Sequence, residues 1–179
     1  MIITQAGDGD LSAVLAMRYE ASAWLAEIGI DQWRQHWPNK DAMVERVGAS
    51  IQAGETWMVR DDQGQLAATV ALDSYADPHL WAPEEIGEPA MYLHRLIVRR
   101  PYAGLGAEIL DWASAEAVKL GKRWVRIDVW TNNRSLHRYY QRNGFQHVRT
   151  LDSDYPSGAL FQRPANTTDW DGSGRLKEV

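Results

Sequence analysis

The chain contains no cysteine. Disulfides, thiolate metal sites and a cysteine nucleophile are therefore excluded. Basic residues are in the minority, 19 Lys and Arg against 24 Asp and Glu, for a net charge of −5. That balance argues against nucleic acid as the main partner, because binding a phosphate backbone needs a basic surface. No apolar run approaches the length of a membrane span, and the N-terminus lacks the charged-then-apolar pattern of a signal peptide. The expectation is a cytoplasmic protein with no membrane partner. His36, His79, His137 and His147 have no metal-ligand spacing, so no metal site is expected.

What is present fits one globular domain. The 179 residues are 45% hydrophobic and 24% charged, enough to bury a substantial core. Nine tryptophans are unusually many for two phenylalanines. Most suit core packing, while Trp24, Trp33, Trp37 and Trp81 fall in or beside expected loops, where a pocket could use them.

The first expected elements are an edge strand over 1–4 and a helix over 11–28. The apolar stripe of that helix is Leu11, Val14, Leu15, Arg18, Ala21, Leu25 and Ile28. An aromatic turn around Trp33 and Trp37 leads to a second helix, capped by Asp41 and ended by Gly54. Two β-like runs, 56–60 and 66–72, are joined by a hairpin turn at 61–64. A loop over 73–89 carries three prolines and the acidic Asp73, Asp77, Glu84, Glu85 and Glu88, most simply read as solvated.

The chain is organised around residues 90–120. An apolar run, 90–98, is interrupted by His94 and Arg95 and breaks at Arg99-Arg100-Pro101. The turn Tyr102-Ala103-Gly104-Leu105-Gly106 follows. Helical spacing then begins, with Ile109, Leu110, Ala113, Ala117 and Leu120 on one face. A strand entering a helix through a glycine turn leaves backbone N–H groups unpaired at the helix start, where they suit an anion such as phosphate. Next come a strand over 123–130, a helix over 134–142 capped at Thr131-Asn132-Asn133, and strands over 145–151 and 160–163. Residues 165–179 read as a polar arm or frayed end. The expected fold is mixed α/β: one domain, 1–164, with a central mixed twisted sheet of six to seven strands and about four flanking helices.

Two segments, LIVRRPYAGLGAEIL (96–110) and NRSLHRYYQRNGF (133–145), carry a family resemblance. In this order, within this element string, the chain resembles the GNAT (Gcn5-related N-acetyltransferase) family over 1–163. The second segment matches the family pattern at Asn133, Leu136, Tyr140, Gly144 and Phe145. The first departs from it, with Pro101, or Ala103 in an ungapped alignment, at the usual Arg/Gln position.

The resemblance implies acetyl-CoA as cosubstrate and a small-molecule amine as acceptor, in a monomer or a homodimer. It implies that Leu96, Ile97 and Val98 present backbone groups to the pantetheine arm. Pyrophosphate then rests on the turn from Tyr102 through Ala103, Gly104, Leu105 and Gly106 to Ala107, helped by Arg99 or Arg100. Asn133, Leu136 and Tyr139 belong to the same cofactor set, and Tyr140 is the acid for the departing thiolate.

Transfer to an amine also needs a base and a stabilised oxyanion. His94 titrates near neutrality and is the leading base candidate. Asp128 could orient it, serve as the base itself, or simply pair with Arg126 or Arg95. Trp33, Trp37 and Trp130 are the candidate acceptor contacts, by cation–π attraction. A second reading is a non-catalytic acyl-CoA sensor or partner-binding module on the same fold.

Overall fold

The computed structural model describes residues 1–34, 38–168 and 170–178. The fold is mixed α/β, with eight strands and five α-helices among those residues. Two compact units divide the chain, the first made of 1–71, 95–106 and 172–179, the second of 72–94 and 107–171.

In the first unit β1 (Ile2–Gln5) pairs antiparallel with β2 (Thr56–Arg60), which pairs antiparallel with β3 (Leu66–Asp73). Strand β1 is not the edge that its N-terminal place suggests. A strand from the C-terminal segment, β8 (Lys177–Glu178), lies parallel to it. The segment is no frayed arm, since Leu176 beside that strand is fully buried. Covering an unpaired strand edge satisfies its backbone groups and removes a template for aggregation.

Helices α1 (Leu11–Glu27) and α2 (Lys40–Gln52) belong to the same unit. Val14 and Met17 of α1 meet Met43, Val47 and Ile51 of α2 and Met58 of β2 in one apolar cluster. Burying each such side chain is worth about 2 kcal/mol. The predicted stripe on α1 needs correction at its end, because Ile28 is 52% exposed while Met17 is fully buried. Asn39, not Asp41, caps α2, its side chain accepting the Ala42 N–H at 2.9 Å.

The second unit holds α3 (Pro83–Ile86), the first part of β4 (Ala90–Val98), most of α4 (Leu105–Lys119), β5 (Trp124–Val129), α5 (Arg134–Arg142), β6 (Gln146–Thr150) and β7 (Ala159–Pro164). Strands β4 and β5 pair in parallel, and β7 pairs antiparallel with both β5 and β6. Ile109, Leu110, Ala113 and Ala117 are buried as their spacing predicts. Trp112 joins them and Leu120 does not, being 60% exposed beyond the helix end.

Hydrogen-bonded arginines, two of them buried, brace this unit. Arg163 of β7 donates to Ser114 Oγ at 3.0 Å, to the Asn143 carbonyl at 2.9 Å and to the Leu110 carbonyl. Arg126 of β5, offered by the sequence as a possible partner of Asp128, is fully buried and ion-paired with Glu88 instead. Arg149 forms a two-pronged pair with Glu85, both contacts at 2.7 Å. The acidic 73–89 segment is therefore tied down at two carboxylates rather than solvated. A buried guanidinium needs such partners to offset its lost hydration.

Candidate active site

The ladder between β4 and β5 runs from Ala90↔Trp124 to Tyr92↔Arg126 and goes no further. His94 and Asp128 are the residues two places beyond that last pair. Side chains on a strand alternate, so each projects on the same face as the last-paired residue before it. One residue later, Arg95 has φ 51°, a left-handed conformation uncommon for a residue with a Cβ. That turn of the backbone ends the regular alternation of β4, whose burial weakens from His94 onward.

His94 sits between two carboxylates. Its Nδ1 lies 3.3 Å from Asp128 Oδ1 and its Nε2 lies 3.4 Å from Asp73 Oδ2. The His94 side chain is 29% exposed, and both carboxylates are more buried. Burial alone would push the imidazole down, but the two carboxylates together outweigh it and hold His94 at about 9. Each ring nitrogen faces an acceptor, which only the doubly protonated ring satisfies at both ends.

Asp128 thus pairs with the histidine and not with Arg126, whose charge goes to Glu88. Asp73 is the member that the sequence reading missed. It closes β3 and starts the acidic segment, accepting the Tyr75 N–H at 2.9 Å through Oδ1. Its place at the end of an apolar strand gives no signal of His94 as its partner.

Asn133 caps α5, its side-chain oxygen accepting the Leu136 N–H at 3.0 Å. That helix turns Tyr140 inward, where its ring meets Tyr139 and Phe145 edge-on at 5.4 and 5.5 Å. Burial, then Tyr139 and the Asp128 charge, push the Tyr140 phenol well above its ordinary value of 10. Asp128 is therefore felt by both His94 and Tyr140. No hydrogen bond engages the Tyr140 hydroxyl among the described residues. Leu136 and Tyr139 are half-buried on the same helix.

In the other unit, Ile97 of β4 is buried between the half-buried Leu96 and Val98. The turn that follows is a short 3₁₀ segment, Arg100–Tyr102, with Ala103 and Gly104 leading into α4. Gly104 has φ 90°, a conformation that favours glycine. Tyr102 donates to Asp61 at 2.7 Å. Arg99 is engaged by Glu20 at 2.8 and 2.9 Å and by the Leu66 carbonyl at 3.0 Å. Arg100 lies over the Trp24 ring. Leu105 and Gly106 are buried, and Ala107 is half-buried as α4 proceeds.

Among the expected acceptor contacts, Trp33 has φ 64° and lies under the Arg18 guanidinium at 5.6 Å. Trp130 is half-buried, and its carbonyl accepts from the Asn133 N–H and from His137 Nε2, each at 3.0 Å. Trp37 lies outside the described residues. Among those residues no helix is long and apolar enough to cross a membrane.

Comparison with known proteins places the chain in a family. Residues 19–145 match the acetyltransferase (GNAT) family model. A Bacillus subtilis (strain 168) protein named uncharacterized N-acetyltransferase YesJ is 30% identical over 151 residues, covering 82% of each chain. A GNAT-family acetyltransferase from Listeria monocytogenes 4b F2365 has a similar fold, with TM-score 0.74 at 24% identity over 90% of this chain and 93% of that one. The PaiA N-acetyltransferase of Thermoplasma acidophilum, solved in complex with coenzyme A, gives 0.65 at 19% identity over 90% and 97%.

Proposed function

This chain belongs to the GNAT acetyltransferase family, and we propose that it moves an acetyl group from acetyl-CoA to the primary amine of a small molecule by direct attack. Acetyl-CoA is the cosubstrate of the family, and when bound it supplies an activated thioester carbonyl. The observation that carries the reading is the Asp73–His94–Asp128 cluster, with Tyr140 within the field of Asp128.

Two carboxylates and one imidazolium leave the cluster with one net negative charge, which attracts an ammonium group. The acceptor nitrogen must lose a proton before it can attack. The imidazolium first gives its own proton to solvent; the neutral ring then takes the acceptor's proton at a ring nitrogen, and its conjugate acid, near 9, is close to an alkylammonium at roughly 10. Transfer between groups so matched is nearly thermoneutral. The new N–C bond forms as the C–S bond breaks, and the Tyr140 hydroxyl gives its proton to the departing sulfur. The raised Tyr140 value keeps the phenol protonated at neutral pH.

Backbone groups of Leu96, Ile97 and Val98 serve the pantetheine arm, with Asn133, Leu136 and Tyr139 assigned to the same ligand. Trp33 and Trp130 are assigned to the acceptor. A donor that is an intracellular metabolite implies a cytoplasmic setting.

The test follows free thiol while acetyl-CoA is mixed with a panel of small primary amines. Tyr140→Phe keeps the ring contacts and removes the proton, so kcat should fall by roughly 10²–10³-fold with little change in KM. His94→Gln should fall comparably. Thiol release from no amine in the panel, despite measured coenzyme A binding, would overturn the reading.

A further inference from the structure

We propose that a cleft beside the Asp73–His94–Asp128 cluster receives the far end of the acceptor, and that Lys122 in its wall selects an amine that also carries a carboxylate. The inference rests on the acyltransferase reading above and names the class of its acceptor.

The cleft lies wholly within the second unit, as the cluster does, and has a volume of about 280 Å³. Its lining includes Ser74, Glu88, Ala90, Tyr92 and Lys122. Two of these residues adjoin the cluster. Ser74 follows Asp73, whose Oδ2 lies 3.4 Å from His94 Nε2. Tyr92 precedes His94 by two residues on β4, so the two side chains leave the strand on one face, about 7 Å apart along it. Ala90 continues that face for about another 7 Å. Tyr92 and Ala90 are both buried, which gives the cleft a fixed wall running away from the histidine.

The charges in this wall do not cancel. Glu88 is ion-paired with the buried Arg126 and lies 3.7 Å from Arg123. The Tyr92 hydroxyl already accepts from Arg126 at 3.2 Å. Lys122 is half-buried, and among the described residues no ion pair or hydrogen bond engages its ammonium. The Ser74 hydroxyl has no partner there either. The uncommitted groups are therefore a cation and a hydroxyl, a pair that suits a carboxylate. A polyamine would set its second ammonium against Lys122, at a cost in affinity. With the reacting amine at His94 and the carboxylate in the cleft, the two ends stand roughly 7–14 Å apart. Two to four residues of extended chain span about that length, so a short peptide has the required reach.

The experiment measures thiol release with saturating acetyl-CoA and three acceptors: triglycine, triglycinamide and spermidine. Wild type should show a KM for triglycine roughly tenfold below that for triglycinamide. Lys122→Gln should raise the triglycine KM to about the amide's value and leave the amide's KM unchanged, while Lys122→Arg keeps the preference. Equal KM values for the two peptides in wild type overturn the proposal. So does an equal rise for both in Lys122→Gln, which marks a structural effect. Turnover of spermidine with neither peptide accepted overturns the carboxylate assignment and leaves acyl transfer standing. Thiol release from none of these acceptors or the amine panel, with coenzyme A bound, overturns the acyltransferase reading itself.

Discussion

Oδ2 of Asp73 lies 3.4 Å from Nε2 of His94, the ring nitrogen that Asp128 does not face. The acidic segment that begins at Asp73 is therefore coupled electrostatically to the strand residue proposed above as the base. In that proposal Asp73 acts through the imidazole, as a positioning residue.

The first expectation concerns pH. His94 is raised from 6.5 unfolded to about 9 folded, so its stabilising contribution is fully present below pH 6.5 and is lost as pH rises through 9. The contribution is roughly 3 kcal/mol. Imidazole NMR should show His94 titrating near 9, and Asp73→Asn should bring that midpoint down. Urea unfolding should show wild type losing more stability than Asp73→Asn between about pH 6 and pH 9.5. The rising limb of kcat/KM should follow the same group, because only neutral His94 accepts a proton. A midpoint near 6.5 in wild type would contradict the charge arrangement.

The cap of α5 can be tested on its own. Asn133 is buried and its side chain satisfies the Leu136 N–H. Asn133→Ala should cost about 1 kcal/mol and Asn133→Asp much less, because aspartate also caps well. Thermal melts should place the alanine variant about 2–4 °C below wild type. An alanine variant as stable as wild type would mean that the cap contributes nothing.

Arg126 offers the largest expected loss of stability. It is fully buried and donates to Glu88, to the Glu85 carbonyl, to Gln162 at 3.1 Å and to Tyr92 at 3.2 Å. Arg126→Ala should cost about 3 kcal/mol, because it leaves these acceptors without their donor. The urea midpoint measures it, and a change under about 1 kcal/mol would show that the network is dispensable.

Much of the fold was legible because local signals and burial agree. The 56–60 and 90–98 strands and the 134–142 helix stand where periodicity and the Asn133 cap place them. His94 and Asp128 were legible as candidates, since polar residues in apolar strands need partners. Asp73 was not, because its partnership depends on side-chain positions that no spacing along the chain encodes. The same holds for the partners of Arg126 and Arg163, which tertiary contacts supply. Strand β8 was hidden for another reason. Two paired residues beside a single buried leucine are too short to leave a periodic pattern.

The buried arginines also alter how the molecule looks from a distance. Arg126 and Arg163 are nearly inaccessible, at 0% and 2% exposed, so their charges reach solvent chiefly as neutralisation of Glu88 and Asp111. The remaining exterior keeps the acidic excess of a chain whose net charge is −5. Such a surface attracts the ammonium of the proposed acceptor and repels an anionic nucleotide donor during diffusion. Added salt should therefore slow encounter with the amine and speed encounter with coenzyme A, so the two substrates respond to ionic strength in opposite directions.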